Sequence, residues 1–264
     1  MVNSDRSKTW ADIDRWEAFQ HRLKVWGHQS ARAAMDWKTI HRWPQQRCGT
    51  HTQALATVAS RLWYPVPPEE WMLEAGKVAN VRVAAQLLNG LEIPAHETFS
   101  FWRHVGRPTA SRGFVVGREI RAGCVIPTIA GGLCLLSNAL YRAALQANFE
   151  IVERHGHTMQ LLTGQDAEPD ATVFWNYVDL RFRSSRAWRV HIEMDERELR
   201  VQFLSDVAPA ERPVSAAAST GLAPSLAHKS CWSCEELDCR HYQVSERKEA
   251  RRALLLDSRW PEFD

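Results

Sequence analysis

A cysteine directly behind two glycines is the residue with the clearest chemical potential. Gly131 and Gly132 permit a tight turn that larger side chains would obstruct, and Cys134 follows them after one leucine. Apolar residues then recur at helical spacing as far as Ala147. The thiol is therefore expected in the first turn of a helix, where free backbone N–H groups and the helix dipole favour an anion. A thiolate placed there is a usable nucleophile, while the alternative is a buried cysteine that only packs behind a glycine turn.

A cysteine nucleophile needs a base within hydrogen-bond reach and a group that orients the base. His155 and His157 end the extended segment after the cysteine helix, and we favour His157 because it lies nearer the following loop. The orienting carboxylate is Asp170 or Asp179. Asp170 stands at the start of the next predicted strand, whereas Asp179 is expected to be solvated or to make a turn contact. The alternative is that both histidines are ordinary polar residues at a strand end.

A second candidate site lies near the C-terminus, where Cys231, Cys234, Cys239 and His241 occur close together. A CxxC pair is the usual first half of a tetrahedral zinc site, and Cys-x-His would supply the second half. Zinc fits this set best. The alternatives are an iron–sulfur cluster whose fourth ligand is Cys48 or comes from another subunit, and a redox dithiol made of the first two cysteines.

Composition limits the class of protein. The 264 residues are enough for one large domain or two small ones, with 45% hydrophobic and 24% charged residues. A formal net charge of +2 gives no electrostatic footprint for nucleic acid. The first residues lack the apolar segment of a signal peptide, and no apolar run is long enough for a transmembrane segment. We therefore expect a soluble cytoplasmic protein, and its oligomeric state is not predicted.

The elements that must position these residues follow from periodicity. Helices are predicted at 10–37, from Thr50 to Leu62, at 74–90 and from Cys134 to about 147. Strands are predicted at 114–120, 124–128, 171–182 and in a hairpin over 188–204. Helices followed by strands indicate an α+β fold with a mostly antiparallel sheet, on which the cysteine helix packs. We divide the chain into an N-terminal helical segment (1–66), an α+β domain (70–205) and a linker with a cysteine-rich tail (206–264).

Several motifs, in this order and spacing, resemble the VanW family. They are Thr98–Trp102, Val105–Thr109, Gly113-Phe114, Gly131–Cys134, Glu150–His157 and Ala171–Phe182, which together span roughly residues 70–205. The family takes its name from an accessory protein of glycopeptide-resistance clusters. Some proteins with this domain resemble cell-wall enzymes that form L,D-crosslinks in peptidoglycan through a cysteine acyl-enzyme.

The resemblance places the family's cysteine at Cys134, its histidine motif at His155 and His157, and its Asp-Ala-Thr-Val at 170–173. It implies a role in peptidoglycan metabolism or glycopeptide resistance, with a cysteine acyl transferase acting on peptidoglycan peptides or a wall precursor. The family usually has a glycine where this chain has Ala130 and a glutamine where it has Leu135. The alternative function is a non-catalytic intracellular accessory or binding protein with a structural zinc site in its C-terminal tail.

Overall fold

The structure is a computed structural model that describes residues 15–37, 51–121, 124–156, 170–175 and 177–206. The chain divides into two compact units. One comprises Val25–Glu119 and Pro127–Leu226, and its described residues include the main sheet and the cysteine helix. The other comprises Met1–Lys24, Ile120–Ile126 and Ala227–Asp264. The predicted three-part division of the chain remains a prediction.

The described residues contain four α-helices, bounded as α1 Arg15–Trp37, α2 Trp71–Leu88, α3 Phe101–Val105 and α4 Cys134–Gln146. Short 3-10 turns occur at Pro68–Glu70 and Ala110–Arg112. Helices α2 and α4 confirm the predictions from periodicity, because each buries an apolar face in the core. None of the helices within the described ranges is both long and apolar enough to cross a bilayer.

The largest sheet contains the strands β1 Gln53–Arg61, β2 Glu92–Ile93, β8 Trp188–Met194 and β9 Glu198–Ser205. Their order in the sheet is β1-β9-β8-β2, and each pairing is antiparallel. Helix α4 contacts β1 and β9, and helix α2 contacts β8. The predicted α+β fold, with a cysteine helix on a mostly antiparallel sheet, is therefore confirmed.

The predicted helix from Thr50 to Leu62 is wrong. Residues 53–61 form strand β1, which pairs along its length with β9. Ala56, Val58 and Ser60 are buried in alternation with exposed neighbours, which is the period of a strand.

Two smaller sheets complete the description. The first contains β3 Thr98–Ser100, β6 Glu150–Glu153 and β7 Arg181–Arg183, in the order β3-β7-β6. The second pairs β4 Val116–Arg121 with β5 Cys124–Ile129. The single long strand predicted at 171–182 is wrong. Phe174 and Val178 exchange backbone hydrogen bonds around a turn, so that only the last residues of the stretch join a sheet.

The core is rich in aromatic side chains. Phe149 stacks on Phe203 at 5.3 Å between ring centroids, and Trp188 lies 4.5 Å from the Phe203 centroid. Phe99 stacks on Phe182 at 4.7 Å and joins the small sheet to this cluster. Rings of this size supply much of the burial in a domain, and the buried Trp188 is one of the 12 tryptophans of the chain.

Candidate active site around Cys134

Cys134 is the first residue of helix α4, as the sequence predicted. The turn before it needs both glycines. A Cβ on Gly131 would lie 2.4 Å from the Gly117 carbonyl oxygen. A Cβ on Gly132 would lie 2.1 Å from Cγ of Lys77, and Gly132 also has a φ of +97°. The two glycines therefore allow the turn to lie directly against strand β4 and helix α2.

Asn80 fixes this turn from helix α2. Its side chain is fully buried, and its Nδ2 donates to the carbonyl of Gly131 at 2.9 Å and to that of Val115 at 3.0 Å. Its Oδ1 accepts from the N–H of Val115 at 2.8 Å. A buried amide whose hydrogen bonds are all made is costly to remove, so Asn80 fixes the position of the turn from which helix α4 begins. Asn80 is not among the residues predicted from the sequence, although a single asparagine inside the apolar pattern of α2 was a usable signal.

A buried charged pair lies next to the same turn. Lys77 is 7% exposed, forms a salt bridge with the buried Glu74, and places Nζ 4.6 Å from the centroid of the Tyr64 ring. Burial lowers the pKa of Lys77, and the charge and hydrogen bond of Glu74 oppose that shift. The side chain of Lys77 lies directly against Gly132 of the turn.

The thiol of Cys134 is half-buried and lies 3.9 Å from the carbonyl oxygen of Val173, toward which it donates weakly. The next turn of the helix is tied to the same segment. Ser137 Oγ donates to the Ala171 carbonyl at 2.6 Å, and Asn138 Oδ1 accepts from the Ala171 N–H at 2.8 Å. Helix α4 therefore contacts the segment that contains Ala171 and Val173 directly.

Some of the backbone N–H groups in the first turn of α4 already have acceptors. Leu135 donates to the carbonyl of Gly132, while Leu136 and Ser137 donate to that of Leu133. The side chain of Leu135 packs against the core. Free N–H groups were expected in this turn, but these three amides already donate within the turn.

His155 also contacts this segment, because its backbone carbonyl accepts from Thr172 N–H at 2.8 Å. Its imidazole Nε2 is 3.1 Å from Glu153 Oε1. Among the described residues, no hydrogen bond joins a histidine to Cys134. His157, the favoured base, lies outside the described residues, so its role stays a prediction.

Glu153 is the centre of a charged network that was not predicted from the sequence. Arg32 of α1 binds both of its carboxylate oxygens, and Arg181 Nε lies 3.4 Å from Oε2. Burial alone would raise the pKa of Glu153, but the hydrogen bond and charge of Arg32, with the charge of Arg181, lower it. The consecutive ionisable residues Glu153, Arg154 and His155 in an extended segment could have indicated the contact between Glu153 and His155. Nothing in the sequence indicated that Arg32 contacts Glu153.

The two candidate orienting carboxylates differ in their surroundings. Asp179 is 1% exposed, which corrects the expectation that it is solvated. It accepts from Ser100 Oγ at 2.6 Å, from the Trp102 N–H at 3.1 Å and from Arg181 Nε at 2.7 Å. Burial raises its pKa against the opposing effects of these donors. Asp179 therefore connects β3, α3 and β7 through its hydrogen bonds, which is a structural role.

Asp170 is half-buried, and its backbone carbonyl accepts from Arg154 Nε. Its role as the orienting carboxylate stays a prediction.

The predicted metal ligands Cys231, Cys234, Cys239 and His241 lie outside the described residues. Within those residues, no group of three or more His, Cys, Asp or Glu side chains is arranged to hold a metal ion.

Comparison with known proteins agrees with the resemblance found in the motifs. The sequence profile of the family described as "VanW like protein" matches residues 76–204. Vancomycin B-type resistance protein VanW of Enterococcus faecalis is 28% identical over 146 residues, which cover 53% of this chain and 53% of that protein. Uncharacterized protein YoaR of Bacillus subtilis is 31% identical over 105 residues, which cover 40% of this chain and 34% of that protein.

The aligned part of the chain thus spans about half of one curated relative and about a third of the other. No solved structure matches the chain. The family match begins inside helix α2 and ends inside strand β9, so it contains the glycine turn, Cys134 and His155. Through this domain, the chain belongs to the VanW family.

Proposed function

We propose that the protein is a cysteine-dependent acyl transferase that acts on peptidoglycan peptides, similar in chemistry to an L,D-transpeptidase, with Cys134 as its nucleophile. The observation that carries the proposal is the position of a half-buried thiol at the first residue of α4, behind a turn that Asn80 fixes. Helix N-termini favour anions, and a rigid turn holds the thiolate in one place for attack. The name of the E. faecalis relative, which refers to vancomycin resistance, supports a substrate from the cell wall.

The reaction has two halves. A histidine, His157 or His155, accepts the thiol proton, and Cys134 Sγ forms a bond to the carbonyl carbon of a peptide. The C–N bond breaks, and the imidazolium gives its proton to the departing amine. A second amine then attacks the thioester and displaces the Cys134 thiolate, and its proton passes through the imidazole to that thiolate. Asp170 is the proposed orienting group for His157.

The tetrahedral intermediate needs donors at its oxyanion. Since the amides of Leu135, Leu136 and Ser137 donate within the turn, we assign this function to the N–H of Cys134 itself. Leu135 occupies the position where the family usually has glutamine, and its packing against the core offers no polar group. We therefore expect slower acylation here than in a relative with glutamine at that position.

The test is whether a covalent acyl adduct forms on Cys134. Purified full-length protein is incubated with muropeptides carrying free tetrapeptide stems, quenched in acid and measured by intact-protein mass spectrometry. We expect an added mass equal to the acyl fragment, located on Cys134 by peptide mapping. Cys134→Ser, which keeps the size of the side chain, should lose the thioester adduct, while Leu145→Ala, at an exposed position of the same helix, serves as the control. An adduct that persists in Cys134→Ala would refute the proposal.

A non-catalytic accessory or binding protein is the second candidate. The observation that favours it is that the thiol of Cys134 contacts the Val173 carbonyl, and that no histidine among the described residues forms a hydrogen bond with it. In this function we propose that Cys231, Cys234, Cys239 and His241 hold a structural zinc ion. Metal analysis of the purified full-length chain should then give one zinc per chain, which is lost in a Cys231→Ser/Cys234→Ser variant and retained in Cys134→Ser. Absence of zinc from the wild-type protein would refute the zinc site.

A further inference from the structure

We infer that helix α1 supplies a positioning residue to the proposed active site: Arg32 holds the Glu153 carboxylate, and this carboxylate orients His155. The inference rests on the proposed function in treating His155 as the base for Cys134. It also extends the site beyond the family domain, because Arg32 precedes the matched residues 76–204.

The contact between Arg32 and Glu153 is a two-point ion pair across 121 positions of sequence. Arg32 Nη1 donates to Glu153 Oε2 at 2.6 Å, and Nη2 donates to Oε1. The side chains are only 14% and 16% exposed. Paired hydrogen bonds between a guanidinium and a carboxylate fix the orientation of both planes, and the low exposure limits screening by solvent. Arg32 therefore sets where the two oxygens of Glu153 lie.

Helix α1 is attached to the rest of the site at more than this one point. Gln29 Nε2 donates to the Trp175 carbonyl at 3.1 Å, and the His28 ring stacks on that of Tyr177 with 6.1 Å between centroids. Arg32 Nη2 also donates to the Tyr177 carbonyl at 3.3 Å. His28, Gln29 and Arg32 share one side of a helix by their spacing. This side of α1 thus contacts the turn that follows the Asp-Ala-Thr-Val segment.

The other contacts of Glu153 determine what the carboxylate does to His155. Its Oε1 accepts from the Asp179 N–H at 3.3 Å and lies 3.1 Å from His155 Nε2, and Arg181 approaches Oε2 from strand β7. The register of β6 against β7 shifts between Ile151 and Glu153, which places Glu153 opposite Arg181. Two guanidinium groups thus keep Glu153 in its ionised form.

An ionised carboxylate only accepts hydrogen bonds, so Nε2 of His155 must be the donor. In the neutral imidazole the proton then resides on Nε2, which leaves the lone pair of Nδ1 as the acceptor for a thiol proton. Without Arg32, burial disfavours the charged carboxylate and no pair of hydrogen bonds holds its plane. The imidazole then loses both its fixed orientation and its single tautomer.

The experiment uses the full-length protein with ¹⁵N-labelled histidine. Two-bond ¹H–¹⁵N correlation spectra at a pH where His155 is neutral distinguish the two tautomers, and the His155→Asn variant assigns the signal. We expect the wild type to show the Nε2–H tautomer. Arg32→Ala should give a mixture of tautomers, and Arg32→Lys should restore the wild-type spectrum in part, because lysine supplies the charge without the two-point geometry.

Matched controls separate loss of position from loss of fold. Lys24→Ala removes an exposed cation of the same helix and should leave the tautomer unchanged. Glu153→Gln keeps the size of the side chain and should also give a mixture, even if Arg32→Ala fails to fold. A wild-type Nδ1–H tautomer, or a Glu153→Gln variant with an unchanged tautomer, would overturn the inference.

Acylation of Cys134 then tests the proposed function separately. If the wild type forms the adduct, Arg32→Ala should slow it by roughly 10-fold or more, since general acid–base catalysis contributes roughly 10²- to 10⁴-fold. A wild type that forms no adduct refutes the proposed function, whereas unchanged acylation in a folded Arg32→Ala variant refutes only the positioning role.

Discussion

The side-chain amide of Asn80 donates to the carbonyl of Gly131 at 2.9 Å and so connects helix α2 to the turn that presents Cys134. The same side chain exchanges two hydrogen bonds with the backbone of Val115. One buried asparagine therefore joins α2, the segment before β4 and the glycine turn. The turn's geometry depends on this residue as much as on its own glycines.

Asn80→Ala should lower the free energy of unfolding by about 3 kcal/mol, because it leaves several buried backbone groups without partners. Urea unfolding followed by far-UV circular dichroism measures the change. Gln86→Ala, an exposed position on the same helix, is the control and should shift stability by no more than about 0.5 kcal/mol. Equal effects of the two substitutions would show that the Asn80 hydrogen bonds contribute little.

Ala130→Gly should stabilise the protein. Ala130 has a φ of +63°, in the left-handed region that disfavours residues with a Cβ. Glycine removes that penalty, and the expected gain is about 1 kcal/mol. This also gives a physical reason for the glycine that the family usually has here. The matched control is Ala147→Gly at the end of α4, where φ is −77° and glycine should destabilise by about 0.5–1 kcal/mol. A loss of stability in Ala130→Gly would contradict the backbone argument.

The contrast between α4 and β1 shows how much of the fold the sequence predicts. Helix α4 was predictable because its apolar positions repeat with one helical period and a glycine turn marks its start. Strand β1 was not, because two of its inward residues, Ala56 and Ser60, are small and leave Leu55, Val58 and Leu62 as an apparent helical pattern. Its partner β9 lies far along the chain, and pairing over such distances leaves no local signal.

At the candidate site, too, contacts between residues far apart in the sequence could not be predicted. The position of Cys134 in the first turn of α4 was predictable from the glycine turn and from the apolar spacing that follows it. Arg32, by contrast, reaches Glu153 across 121 positions, and an arginine on a helix rich in charged residues is ordinarily a solvated side chain. Of the two alternatives predicted for Asp179, the solvated side chain is wrong for a related reason, since burial of a carboxylate depends on donors from distant elements.

Glu153→Gln should make stability less dependent on acid pH. The folded-state pKa of Glu153 is lowered, so its ionised form stabilises the fold above the unfolded pKa of about 4.3, and this contribution is lost as the pH falls through the folded value. The variant should be less stable than the wild type by about 2 kcal/mol at pH 7, with the difference shrinking below about pH 4. Urea titrations at several pH values measure it.

The control for this prediction is Glu150→Gln. Glu150 pairs with Arg183 in an exposed ion pair on the same strands, where solvent weakens the interaction. Its effect should be small at every pH. A pH-independent difference for Glu153→Gln would mean that the ionised carboxylate is not what stabilises the network.

Cys134 should react with iodoacetamide faster in the folded protein than in the urea-unfolded chain, although it is half-buried when folded. Burial alone slows the alkylation of a thiol, so a faster reaction requires that the N-terminus of α4 stabilises the thiolate. Peptide mass spectrometry after timed quenching measures the rate at Cys134 separately from the other five cysteines. His157→Ala should reduce the rate if that histidine accepts the thiol proton, while His96→Ala, at a turn between β2 and β3, should not. A folded-state rate at or below the unfolded rate would make Cys134 a packing residue, and the accessory function would then become the favoured one.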